Sequence, residues 1–303
     1  MNKKSVFFVF CIVFMITAFP TAASADMGPK PSVVIDFNGL SGETYYATLL
    51  SSVESTGPFS ALSFHERDDP GIDDREFYIG EDSDYPVFLK IIEYTDADGY
   101  FFLQYFQNCS ETHRFSWTYY PPANFKILLY FPEKDSYVIS GPHERYAFDS
   151  YFSATIANEV HPNTIYYDNM DVRISYDYFG EIISLIARII LTVAVELLIA
   201  LLFVFREKKQ LLLILSVNLV TQIVLNVTLN FINFSYGHMM FVFAFTLLEM
   251  AVFVIEAVVY TVFLRRISDA KVRAWRTITY ALIANAASFA AGLGLAYVIP
   301  GVF

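Results

Sequence analysis

Cysteine is nearly absent from this chain. Of 303 residues only Cys11 and Cys109 are cysteine, and Cys11 falls in a segment expected to be removed. No intramolecular disulfide can then staple the mature chain, so an exported domain has to hold by its hydrophobic core, for which about 150 residues suffice. Cys109, between Asn108 and Ser110, has no evident base beside it and reads as a small buried residue. Charge is scarce as well: 17% of residues are charged against 55% hydrophobic, too apolar for an ordinary soluble domain. The motifs of common enzyme classes are missing too, with no Walker A loop, no G-x-S-x-G and no glycine-rich dinucleotide fingerprint. The five histidines, His65, His113, His143, His161 and His238, show no metal spacing, and His143-Glu144-Arg145 lacks the second histidine of a zincin. Ser268 and Lys271 match S-x-x-K, which in a short loop reads as chance. No enzyme and no cofactor is expected.

What charge there is lies unevenly. Residues 26–178 hold 25 acids against 9 bases, and residues 179–303 hold 6 against 9. Such asymmetry marks two halves in different surroundings, and so acidic a first half argues against nucleic acid as a partner.

Residues 1–25 carry Lys3 and Lys4, an apolar run over 6–19, and then Ala23 and Ala25 at the small-x-small positions of a signal-peptide cleavage site. The run is shorter than the roughly 20 residues of a membrane crossing, which favours a signal peptide over an uncleaved first helix. Export places residue 26 onward outside the cytoplasm. Residues 26–178 read as an all-β, sandwich-like domain of immunoglobulin-like character. Short alternating or aromatic runs at 33–37, 45–51, 87–94, 100–108, 115–120, 125–131, 137–140, 151–156 and 172–176 are separated by Gly, Pro, Asp and Ser. Asp96-Ala97-Asp98-Gly99 is a hairpin signal between two of them. No stretch of helical period competes. Tyr166, Tyr167, Tyr176, Tyr178 and Phe179 form a tyrosine-rich stretch suited to a membrane-proximal collar.

Residues 179–303 predict a bundle of four transmembrane helices, with spans at roughly 182–205, 210–234, 239–264 and 277–299. The link between the first two carries Arg206, Lys208 and Lys209; the link between the last two carries Arg265, Arg266, Lys271, Arg273 and Arg276. The positive-inside rule puts both links in the cytoplasm, which agrees with an exported preceding domain and leaves the C-terminus outside.

Polar residues inside these spans are costly and mark sites by default. Glu196 lies nine residues before the inner end of the first span, Asn218 nine after the start of the second, Glu256 eight before the end of the third and Asn285 nine after the start of the fourth. At about 1.5 Å per residue all four share one level, about 12–14 Å from the cytoplasmic edge. Asn218, Gln222, Asn226 and Asn230 add a stripe on the second helix, and Arg188 and Thr192 share a face with Glu196. Arg188 and Glu249, both towards the outer half, are placed to form an ion pair. Ala284, Ser288, Gly292 and Ala296 make a small-residue stripe for close helix approach. Two readings of the layer stay open: oxygen ligands and tuned carboxyls for a cation or a relayed proton, or hydrogen-bonded glue between helices.

The loop Asp68-Asp69-Pro70-Gly71-Ile72-Asp73-Asp74, with Glu81-Asp82-Ser83-Asp84, is acidic enough to consider calcium but lacks the full D-x-D-x-D-G pattern; a solvated surface is the plainer reading. The start Asp26-Met27-Gly28-Pro29-Lys30-Pro31-Ser32, Tyr45-Tyr46-Ala47-Thr48-Leu49-Leu50, residues 125–133 and Glu144-Arg145-Tyr146-Ala147-Phe148-Asp149 carry a resemblance. On these residues the chain resembles a family of uncharacterised bacterial membrane proteins with an exported domain followed by several spans. That resemblance implies architecture and bacterial origin. The expectation is a multi-pass protein of a bacterial cell membrane whose exterior domain binds a ligand, a protein partner or a second copy and whose bundle anchors it in the bilayer. The alternative is a small transporter or a proton- or cation-responsive component working through the Glu/Asn layer.

Overall fold

The computed structural model describes residues 28–62, 82–269 and 271–298. The expected signal peptide at 1–25, the acidic residues 68–74 and Glu81, and the side chain of Ala296 lie outside the described residues.

The first part is β-rich. Its strands are β1 (Ser32–Asn38), β2 (Tyr46–Ser51), β3 (Phe101–Phe102), β4 (Gln107–Asn108), β5 (Arg114–Trp117), β6 (Asn124–Phe131), β7 (Ser136–Ile139), β8 (His143–Glu144), β9 (Asp149–Ile156), β10 (Ile165–Tyr167) and β11 (Met170–Ile174). One sheet runs β11-β9-β1-β5; the other runs β10-β7-β6-β2-β3, with β4 beside β2 and β8 beside β6. Both sheets are mixed, since β1 lies parallel to β9 and β10 parallel to β7. Successive side chains of a strand point to opposite faces. Val33, Ile35 and Phe37 of β1, Phe115 and Trp117 of β5, Phe152 and Ala154 of β9, Ala47 and Leu49 of β2, and Phe125, Ile127, Leu129 and Phe131 of β6 accordingly meet in one buried cluster drawn from both sheets.

The domain is not all-β. Residues 87–94, expected as a strand, lie mainly in a helix, α1 (Tyr85–Glu93), with Pro86 in its first turn. Val87, Phe88 and Ile91 are its buried residues, an i, i+1, i+4 stripe of helical period that a short apolar run conceals in the sequence. The helix covers the outer face of the larger sheet, packing Val87, Phe88 and Ile91 against Tyr46, Leu50, Leu128 and Tyr130. Strand β6 is therefore buried on both faces, which explains its nearly continuous apolar run.

Two further corrections follow. Residues 100–108 are not one strand: Gln104 sits at φ 62°, in the left-handed region that breaks a ladder, and leaves β3 and β4 to pair separately with β2. Asp96–Gly99 does turn, with Gly99 at φ 75° and its N–H donating to the Asp96 carbonyl at 3.1 Å, but it joins α1 to β3 and is no strand-to-strand hairpin. The Asp96 carboxylate accepts the backbone N–H groups of Asp98 and Tyr100 and binds Lys126 Nζ of β6 at 2.9 Å. Both side chains are almost wholly buried, at 0% and 5% exposure, so the turn is clamped to the sheet by a desolvated ion pair.

Four helices follow: α2 (Tyr178–Leu202), α3 (Lys208–Tyr236), α4 (His238–Ile267) and α5 (Ala274–Val298). Packing runs α2 to α3, α3 to α4, α4 to α5 and α5 back to α2, a closed ring. Three of them, α2, α3 and α4, are long and apolar enough to cross a membrane. Their outward surface is apolar, with Ile190, Leu198, Val220, Val224 and Val258 all more than half exposed.

The β-rich part is seated on one end of this ring. The Phe148 N–H donates to the Phe234 carbonyl near the end of α3 at 2.9 Å, and the rings of Tyr146 and Tyr176 stand 6.2 and 5.7 Å from that of Phe234. Gly237 between α3 and α4 has φ 81°, and a Cβ there would lie 2.5 Å from the Phe148 ring. Only glycine meets both demands at no steric cost. Of the expected aromatic collar, Tyr167, Tyr178 and Phe179 are exposed, Tyr176 belongs to this joint, and Tyr166 packs on the domain core.

Candidate functional site

Each ring helix contributes a buried polar side chain to the interior. Glu196 of α2, Asn218 of α3 and Glu256 of α4 have no exposed surface, and Asn285 of α5 is 7% exposed.

Asn285 Nδ2 donates to Glu256 Oε2 at 2.7 Å, and the Thr221 hydroxyl reaches Glu256 Oε1 at 2.8 Å, the shortest of its three contacts. Asn218 Nδ2 donates to the Tyr260 hydroxyl at 2.9 Å and to the Ile214 carbonyl at 3.1 Å. The Tyr280 hydroxyl donates to the backbone carbonyl of Glu196 at 3.3 Å. The Glu196 carboxyl lies beside Glu256 and within electrostatic reach of the polar groups of Asn218 and Ser288, yet no donor meets either oxygen in hydrogen-bond geometry. Asn218 Oδ1 and Asn285 Oδ1 are likewise buried without a donor. Most buried polar atoms in proteins are paired, so four orphan acceptors in one place stand out.

The rest of the polar set lies on the side of the β-rich domain. Gln222 and Asn226 are each 4% exposed, with Asn226 Nδ2 donating back to the Gln222 carbonyl at 2.8 Å. Arg188 and Glu249 do not form the expected ion pair. Arg188 Nε reaches back to the Ser184 carbonyl at 3.4 Å, as a long side chain on a helix can. Both residues instead line one cavity, with Thr192, Gln222, Asn226 and Ser288. Its volume is about 20 Å³, room for about one water. The stripe residues Ala284 and Ser288 are buried, and Gly292 lines the same cavity.

Sequence reasoning from depth names the four amides and carboxyls but not their hydroxyl partners. Three of the partners are legible afterwards: Thr221 follows Asn218 by three, Tyr260 follows Glu256 by four, and Ser288 follows Asn285 by three, the offsets that share a helix face; Tyr280 shares no such offset.

The opposite end from the β-rich domain is basic and tied together. Lys209 pairs with Asp269 at 3.2 Å, Gln210 Nε2 donates to Ser268 Oγ at 2.8 Å, and Glu207 accepts the Asp269 N–H. Arg276 Nε donates to the Phe203 carbonyl at 2.9 Å and its guanidinium stacks 5.0 Å above the Phe205 ring. Beneath them Tyr260, Tyr280, Phe205 and Leu264 form the bundle's largest apolar cluster.

In the β-rich part, Cys109 is fully buried and free, and burial pushes its thiol up to about 12, well away from reactive thiolate chemistry. Burial also holds His143 below the usual histidine range. Among the described residues no group of three or more His, Cys, Asp or Glu side chains could hold a metal.

Comparison of the chain with family models, with curated proteins and with solved structures returns no match. Function therefore has to be argued from the geometry.

Proposed function

We propose that this chain is a non-enzymatic, multi-pass protein of a bacterial cell membrane. Its β-rich domain stands outside the cytoplasm as a two-sheet sandwich capped by α1, and binds a ligand or protein partner. All four helices cross the bilayer, α5 completing the ring that α2, α3 and α4 begin. One observation carries the reading: the domain is seated on the Phe234–Gly237 end of the bundle, while the basic residues from Arg206 to Lys209 and from Arg265 to Arg276 gather at the other. Positive charge marks the cytoplasmic side, so the domain faces outward.

The way the domain is held supports a binding role. Strands β1 and β9 run parallel from the joint at Ser32 and Phe148, whose backbones are hydrogen-bonded. At their far ends lie two exposed loops, around Glu111 before β5, which pairs antiparallel with β1, and around Glu159 after β9, on the side away from the bundle and open to a partner. Surface loops on a rigid scaffold are where recognition concentrates.

Two measurements test this. Single cysteines at Ser235 and Lys271, labelled in intact cells with a membrane-impermeant thiol reagent, are expected to react at Ser235 and stay silent at Lys271; the reverse pattern sinks the topology. Photo-crosslinking residues at Glu111 and Glu159 are expected to give a discrete adduct in cells. Their absence, with adducts formed only from lipid-facing positions, removes the exterior binding role.

A further inference from the structure

The four orphan acceptors share a location and a deficit. Glu196 Oε1 and Oε2, Asn218 Oδ1 and Asn285 Oδ1 are all buried and none receives a hydrogen. The amide and serine donors nearby are spent. Asn218 Nδ2 serves Ile214 and Tyr260, Asn285 Nδ2 serves Ala281 and Glu256, and the Ser288 hydroxyl serves the Asn285 carbonyl at 3.1 Å. Among the described residues only the Tyr260 hydroxyl, which accepts from Asn218, keeps a hydrogen to give, one donor against four acceptors.

The two carboxyls differ in what surrounds them. Glu256 has one donor on each oxygen, from Asn285 and Thr221, which suits a carboxylate. Glu196 has none. Among the described residues no Lys, Arg or His pairs with either of them. Arg188 is two turns outward on the same helix and turned to Ser184, and Arg276 is bound at the inner end to Phe203. Two ionised carboxylates side by side without a cation, inside an apolar bundle, are too costly to persist. Protonating one removes half the charge and turns an orphan acceptor into the missing donor.

We propose that Glu196 and Glu256 form a proton-binding pair that holds a single proton at neutral pH, carried on Glu196, whose O–H is shared with the Asn218 and Asn285 side-chain carbonyls. Among the described residues the titratable groups facing this pair are Tyr260 and Glu249 from α4 and Tyr280 from α5; Arg188 of α2 lines the small cavity farther out, and α3 contributes the neutral Asn218, Thr221 and Gln222. Like charges sharing a site titrate in two separated steps that belong to the pair, and the state between them holds one proton. The small cavity lined by Thr192, Ser288 and Glu249 adjoins the pair on its outer side and gives a water-sized step toward it. A metal cation is the weaker occupant, because the described residues provide no group of three or more carboxylate, thiol or imidazole ligands there.

The test is infrared spectroscopy of the purified full-length protein in lipid nanodiscs. The wild type is expected to show the C=O stretch of a buried protonated carboxylic acid at neutral pH, shifted by exchange into D2O. The band is expected to survive in E256Q and to vanish in E196Q. Absence of the band in wild type, or its persistence in E196Q, overturns the proposal. Should E196Q fail to fold, E196D keeps an acid one methylene shorter and is expected to move the band; a band unmoved by E196D overturns the assignment. Loss of the wild-type band on adding sodium or potassium at constant pH identifies a metal cation as the occupant and overturns it too.

Discussion

Asn285 on α5 donates to Glu256 on α4 at 2.7 Å, deep in a bundle whose other faces are apolar. This bond joins two helices at the level where α2 and α3 contribute Glu196 and Asn218. Replacing Asn285 with Ala leaves Glu256 Oε2 without its donor, and a buried group so stranded costs about 1–3 kcal/mol. Thermal unfolding in detergent checks the single variant. In the N285A/E256A double variant the losses are expected to be non-additive by about 0.5–3 kcal/mol, as for residues in one network; strict additivity sinks the claimed bond.

Gly237 is a second pivot. Alanine there meets the Phe148 ring and a left-handed backbone at once, which predicts a loss of at least about 1 kcal/mol. The effect is expected at the joint and not in the domain core. Limited proteolysis of G237A is expected to cut sooner between the β-rich domain and α2, with the domain itself still resistant. A G237A protein as resistant as wild type at that joint disposes of the idea.

Lys126 and Asp96 form the buried ion pair that clamps the turn after α1. Lys126→Met leaves a carboxylate buried without its cation, expected to cost about 3–5 kcal/mol, whereas K126M/D96N is expected to recover much of the loss. The Lys126 ammonium is lifted above the usual lysine range: burial opposes the shift, and bonds to Asp98 and Asp96 outweigh it. A raised folded-state value means that its stabilisation is complete below the ordinary lysine value and fades only as pH climbs through the higher one. Base unfolding of K126M is therefore expected to lose that alkaline step.

Asp135 shows the mirror case. Hydrogen bonds from Lys90 and Tyr130 hold its carboxyl below the usual range. Its stabilisation is present above the ordinary value of 3.8 and is lost as pH falls through the lowered one. D135N is expected to flatten the acid limb of the melting-temperature profile. An acid limb identical to wild type counts against the contact.

Cys109 is expected to stay unlabelled by thiol reagents in the native protein, since it is buried and its thiol is pushed up to about 12. Labelling should appear only with unfolding. Fast labelling under native conditions argues against the packing of the domain core.

The helices and the inward polar layer were legible in the chain because both follow from local rules. A run of apolar residues long enough for a bilayer is a helix, since the backbone must satisfy itself there, and the rise per residue converts position into depth. Glu196, Asn218, Glu256 and Asn285 could thus be expected at one level before any contact was known. Most strands were legible from alternation, with β6 and β1 the clearest.

Tertiary structure decided the rest. A short apolar run such as 87–94 fits a strand or a helix equally by composition, and only the open outer face of the larger sheet selects the helix that covers it. Residues 100–108 break at Gln104 because the chain has to pair twice with β2, a demand invisible locally. Arg188 and Glu249 share a depth but not a bond, because rotation about the helix axis is set by packing, not by spacing. The hydroxyl partners Thr221, Tyr260, Tyr280 and Ser288, and the contrast between a satisfied Glu256 and an unsatisfied Glu196, depend on which helices become neighbours. Sequence sets which groups are buried and how deep; only the closed ring of helices sets which of them find a donor.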